Sequence, residues 1–135
     1  MKSILIIPVL VSAIALSGCN TLEDKEQTLQ LYYVSWACDC ANWATLADID
    51  KYQNMPGDSL ADHCIFLEPA NDGLALPDSA SYNYTTVKVI GRFYENKGFP
   101  QGYSSAEQPE KARVFRYTSY KMVHTISDYP KTANQ

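Results

Sequence analysis

Apolar and polar residues alternate in three different ways along this chain. A single positive charge, Lys2, precedes an apolar run over residues 4–16 that is interrupted only by Pro8, Ser12 and small residues. Residues 21–30 are polar and charged. Beyond residue 30, short β-branched and aromatic runs alternate with turn residues, and helical periodicity is scarce. Residues 29–36 (LQLYYVSW) predict a first strand. Residues 42–49 fit two templates: Trp43, Leu46 and Ile49 share a helix face, whereas Trp43, Thr45, Ala47 and Ile49 alternate as in a strand. A turn at 54–58, one helical turn at 59–62, a strand at 63–68 and a second turn at 70–73 follow.

Two long strands close the pattern. In residues 84–95, Val87, Val89, Gly91 and Phe93 share one face, and Lys88, Ile90, Arg92 and Tyr94 the other. Gly91 inside that run predicts a bulge or a sharp bend. In residues 112–125, Phe115, Tyr117 and Val123 lie on one face, with Val114, Tyr120 and Met122 opposite. Apolar residues on both faces suit a small, strongly curved sheet. The fold class expected is therefore mostly β, a small OB-like β-barrel of about five strands, with a small β-sandwich as the alternative. The segment 95–111 between the last two strands is long for a loop without structure of its own. It is read either as functional or as an omega loop pinned by Phe99 and Tyr103.

The amino-terminal run has the charge and length of a secretory signal peptide. As a helix it would reach about 20 Å, short of the roughly 30 Å apolar core of a bilayer. It ends in Leu16-Ser17-Gly18-Cys19, and this ending resembles the lipobox of bacterial lipoproteins. The resemblance implies cleavage before Cys19, thioether lipidation of its thiol and acylation of the new amino terminus. Asn20, where Asp would favour inner-membrane retention, implies the outer membrane. The expected organisation is a signal peptide over 1–18, a lipidated tether over 19–28, one β-rich domain over 29–127 and a tail over 128–135. The mature segment is also similar to small bacterial envelope lipoproteins that carry a C-D-C-x-x-W stretch (here Cys38-Asp39-Cys40-Ala41-Asn42-Trp43) and a later G-R-F-Y strand (Gly91 to Tyr94). That likeness implies no activity.

With Cys19 given to lipid, Cys38, Cys40 and Cys64 remain, an odd number for an oxidising compartment. One reading is a disulfide from Cys64 to Cys38 or Cys40 with the third thiol buried. Closing a loop of about 25 residues would stabilise the fold by roughly 3 kcal/mol from chain entropy alone. The other is a soft-metal site for Zn(II) or Cu(I), built from Cys38, Cys40 and Cys64 with His63. A redox role for the C-x-C pair is the third. His63 and Cys64, as neighbours on a strand, would converge on one metal only at a bend.

The chain carries a formal charge of −4, unevenly spread. Residues 23–78 hold 11 acidic and 2 basic residues; residues 79–135 hold 4 acidic and 8 basic ones. Pairing of opposite charges between the two halves is the simplest consequence. A docking face for an acidic partner or glycan is the alternative, on Lys88, Arg92, Arg113, Arg116 and Lys121. Arg92, Tyr94, Arg116 and Tyr120 are the binding candidates. Export argues against nucleic acid as a partner. Asp48, Asp50, Asp58 and Asp62 lack the ligand order and glycine of an EF-hand. There is no G-x-S-x-G, H-E-x-x-H or phosphate loop around His63 or His124. The expectation is a non-enzymatic envelope lipoprotein without a cofactor, which binds the membrane through acyl chains on Cys19 and also an envelope protein or small ligand.

Overall fold

The computed structural model describes residues 19–57, 59–81 and 85–123. The expected signal peptide, the carboxyl-terminal tail and His124 lie outside them. Among these residues the strands are β1 (Gln27–Tyr33), β2 (Trp43–Thr45), β3 (Phe66–Pro69), β4 (Thr86–Phe93) and β5 (Val114–Val123), with one α-helix, α1 (Leu46–Tyr52). They form a single sheet in the order β2-β1-β4-β5-β3, curled into a half-barrel. All neighbours are antiparallel except β3 and β5, which run parallel. One bridge stitches the two edges together: Trp43 N–H donates to the Ile65 carbonyl at 3.2 Å, and Ile65 N–H to the Trp43 carbonyl at 2.8 Å. The OB-like architecture read from the strand pattern is the one observed.

The two templates of residues 42–49 are both used, one after the other. Trp43–Thr45 pairs with β1, and the chain turns into α1 at Thr45, whose hydroxyl accepts from Asp48 N–H at 3.1 Å. The helix has only seven residues, too few to persist alone, and is held by the buried Ile49.

The barrel interior gathers Leu31, Trp43, Ile65, Val87, Val89, Phe93, Phe115 and Tyr117. In β4 the alternation is clean. Val87, Val89, Gly91 and Phe93 are buried, while Lys88, Ile90 and Arg92 are exposed, so the expectation of burial on both faces fails for this strand. Its face assignment holds, and so does the irregularity at Gly91: the register slips between Ile90 and Gly91. The extra residue, however, lies across the ladder. Ile90 faces Ser119 and Gly91 faces Tyr117, which leaves Thr118 unpaired. That insertion inverts the parity of β5, so Tyr120 and Met122 pack on the same interior as Phe115 and Tyr117 instead of opposite them.

A second apolar layer covers part of the barrel's outside. Ala41, Ala44, Ile49, Cys64, Phe66 and Val114 pack under α1 and the loops on either side of it. The residues expected to form a tether are built into the domain. Leu22 bridges Tyr94, Glu23 N–H donates to the Phe93 carbonyl at 2.8 Å, and Glu95 N–H to the Thr21 carbonyl at 2.9 Å. Backbone pairing does not require apolar side chains, which is why a polar stretch could extend β1 unnoticed.

Candidate functional site

Three places bring together the residues singled out by the sequence. The first is the C-D-C turn. Cys38 and Cys40 are bonded to one another, with Cα atoms 5.3 Å apart. The expected bridge from Cys64 does not form. Cys64 is buried in the outer apolar layer against Phe66 and Val114, and burial pushes its thiol up to about 11. His63 points elsewhere, stacked on Tyr52 with ring centroids 3.9 Å apart. The four residues of the soft-metal reading are therefore not assembled, and no three His, Cys, Asp or Glu side chains gather for a metal among the described residues. Asp48 is spent on the cap of α1. Closing a three-residue ring restrains the unfolded chain by less than about 2 kcal/mol, so the observed disulfide is a weaker staple than the expected one.

What this ring does hold is the long loop. Asp39, between the cysteines, is bound through three groups. Its carbonyl accepts from the Tyr103 hydroxyl, its carboxylate from Ser105 Oγ at 2.9 Å, and its N–H donates to Glu107 Oε2 at 3.0 Å. Phe99 and Tyr103 stack on each other and pack on Phe66, with centroids 5.8 and 5.3 Å from its ring. The loop is thus pinned by Phe99 and Tyr103 as the omega-loop reading expects, and its far end is fastened at Asp39. Cys40 forms part of the wall of a cleft of about 530 Å³, together with Asp62, Lys97, Glu110 and Lys111. A neighbouring cleft of about 390 Å³ shares Asp62 and Lys97 and has Trp43 and Phe93 in its lining.

The second place is a buried carboxylate. Glu68 on β3 is 4% exposed. It accepts from the Tyr94 hydroxyl at 2.6 Å and from Gln101 N–H at 2.8 Å, and Arg116 Nε lies 3.8 Å away. Arg116 also donates to the Ala70 carbonyl at 3.1 Å. Two of the four binding candidates, Tyr94 and Arg116, are therefore committed to one network. Burial and the donated hydrogen bond to Glu68 both raise the Tyr94 pKa. Tyr120 is removed from the set, since it faces the interior in edge contact with Tyr117. Glu68 was missed in the sequence. Its signal was an acid at the end of an apolar run, Cys64-Ile65-Phe66-Leu67-Glu68, where a buried charge must find partners.

The third place is the outer face of β4 and β5. Lys88 sits directly opposite Lys121, and Arg92 opposite Arg116. Opposite charges of the two chain halves do meet elsewhere, at Glu23–Arg113 (3.5 Å) and Glu68–Arg116. Lys88, Arg92 and Lys121 make no ion pair among the described residues, and all three are exposed. Ile90 between them is 37% exposed. Like charges directly across a ladder destabilise it by some tenths of a kcal/mol, up to about 1.

No family model matches this chain, and neither the curated proteins nor the solved structures include a significant match to it.

Proposed function

We propose that the protein is a non-enzymatic, lipid-anchored envelope lipoprotein, held at the outer membrane by acyl chains on Cys19, that docks an acidic partner on the outer face of β4 and β5. The observation that carries the docking face is the register of Lys88 with Lys121 and of Arg92 with Arg116: Lys88, Arg92 and Lys121 have no ion-pair partner among the described residues, while Arg116 alone faces an acid, Glu68, at 3.8 Å. An anionic partner converts that unfavourable contact into a gain, and its recruitment is steered by charge. Ile90 adds an apolar contact at the centre.

The anchor rests on the lipobox ending at Cys19, and Cys19 is exposed in the folded domain. Asn20 immediately after it is docked: its side-chain amide donates to the Asn96 carbonyl at 2.9 Å, and Asn96 N–H donates back at 3.1 Å. A lipid on Cys19 thus meets the domain without slack and holds it flush to the headgroups. Several acyl chains at about 0.8 kcal/mol per buried CH2 suffice for such an anchor.

Two measurements test the proposal. Cells expressing the wild-type chain incorporate radioactive palmitate into it, and cells expressing Cys19→Ser do not; equal labelling overturns the anchor. The purified protein binds poly-glutamate with an affinity that falls as salt rises, and Lys88→Glu with Lys121→Glu weakens that binding at least tenfold. Unchanged binding overturns the docking face.

A further inference from the structure

We infer that the Cys38–Cys40 disulfide is a thiol–disulfide exchange site for a dithiol reductant, and that its reduction unlatches the 95–111 loop from the wall of the adjoining cleft. The inference stands on the geometry of the C-D-C turn alone and is independent of the anchor and of the docking face.

The ring lies at the surface. Cys38 is exposed and Cys40 partly so, unlike Cys64, which is 2% exposed. Exposed disulfides are the ones within reach of external thiolates. So small a ring contributes little to global stability, and it can open without unfolding the barrel. Its one conspicuous structural task is local: it holds Asp39 where the Tyr103 hydroxyl, Ser105 Oγ and the Glu107 carboxylate converge. Freed from a Cα separation of 5.3 Å, residues 38–40 can extend by about 1 Å or more toward ordinary strand spacing. The three contacts at Asp39 depend on the closed turn. Because Cys40 also lines the 530 Å³ cleft with Lys97, Glu110 and Lys111, opening the ring changes the shape of that cleft.

The exchange balances with a reductant that carries two thiols, such as a protein with a C-x-x-C motif. Its thiolate attacks Cys38 Sγ. The bond between Cys38 Sγ and Cys40 Sγ breaks, and Cys40 leaves as a thiolate that takes up a proton. The second thiol of the reductant, deprotonated, then attacks its own mixed disulfide and expels Cys38 as a thiolate, which is protonated in turn. Two electrons pass to the Cys38–Cys40 pair, and the reductant becomes the disulfide. Cys64, buried as a thiol within the second apolar layer, takes no part.

The test uses the processed full-length protein in detergent, without denaturant. Titration with dithiothreitol, followed by alkylation and peptide mass analysis, modifies Cys38 and Cys40 together and leaves Cys64 unmodified. Amide exchange at residues 39 and 101–107 accelerates at least tenfold on reduction, whereas β4 and β5 keep their protection. A C-x-x-C protein lacking its second cysteine is trapped as an adduct on Cys38. The double variant Cys38→Ser, Cys40→Ser reproduces the fast exchange of the reduced form without any reductant. Reduction that exposes Cys64 at the same time, or reduction that leaves exchange in the loop unchanged, overturns the inference. So does a native protein whose ring resists dithiothreitol until it is denatured.

Discussion

A methyl group at Gly91 should be the costliest small change in this barrel. The Cβ of an alanine there would lie 2.1 Å from the Arg116 carbonyl oxygen, 2.7 Å from Tyr117 Cα and 2.8 Å from the Arg116 carbonyl carbon. All three are backbone atoms of β5, so no side chain can swing aside. The ladder must open by about 1 Å at its bulge to restore ordinary contact. Overpacking of this kind costs about 1–3 kcal/mol, and one or two strained ladder hydrogen bonds add about 1 kcal/mol each. The sum is about 2–5 kcal/mol for Gly91→Ala, or a fall in Tm of about 10–30 °C for a domain of this size. Urea unfolding followed by the fluorescence of Trp36 and Trp43 measures it directly. Gly98→Ala is the matched control. Its nearest neighbour would be Asn20 Nδ2 at 3.9 Å, and Gly98 is not at positive φ. Loss of unfolded-state freedom should make that variant about 0.4–1 kcal/mol more stable. If Gly91→Ala unfolds within 1 kcal/mol of the wild type, or if the two variants behave alike, the account of the bulge is wrong.

Further outcomes follow from the buried groups. Glu68→Ala strands the Tyr94 hydroxyl and Gln101 N–H and should destabilise the domain by about 3 kcal/mol in urea titration, with Arg116, a third exposed, contributing little of it. Tyr117→Phe removes the hydroxyl donated to the Leu74 carbonyl at 2.8 Å and should cost about 1 kcal/mol at neutral pH. Burial raises Cys64 from 9.0 to about 11 and Tyr117 from 10.0 to about 12. Both values lie above those of the unfolded chain, so the stability these groups lend is complete below pH 9 and drains as pH rises toward 12. The urea midpoint should fall across that window, and Tyr117→Phe should flatten its upper half. Iodoacetamide at pH 8 should leave Cys64 untouched in the native protein and label it fully once the chain is unfolded.

How much of this was legible in the sequence depended on how local each signal was. Strand β4 could be read residue by residue, because its inner and outer positions alternate from Val87 to Phe93. The faces of β5 could not, since one unpaired residue, Thr118, inverts parity halfway along, and nothing in Thr118 itself announces it. The stacking of Phe99 and Tyr103 was foreseeable from two aromatic residues in an otherwise polar loop. The pairing of Cys38 with Cys40 was not. Compartment and cysteine count leave the choice of partner open, and entropy favours the longer loop that the structure declines. Glu68 escaped notice because its partners come from the residue after β4, from β5 and from the long loop, brought together only by the sheet order. Polarity reads residues 19–28 as a tether, although Thr21, Leu22 and Glu23 pair through their main chain and Asn20 through its side-chain amide.

The sheet ends in its two shortest strands, β2 with three residues and β3 with four, and β3 stops at Pro69, which has no N–H to offer. Free strand edges are where one chain recruits the next into an extended ladder, and brevity, proline and stitching are the usual protections. Here the single Trp43–Ile65 bridge turns the two edges toward each other. If the chain is anchored to a lipid surface as proposed, its copies are confined to two dimensions and meet far more often than they would in solution. On that proposal, this small seam denies such neighbours two of the strand ends on which an intermolecular ladder would start.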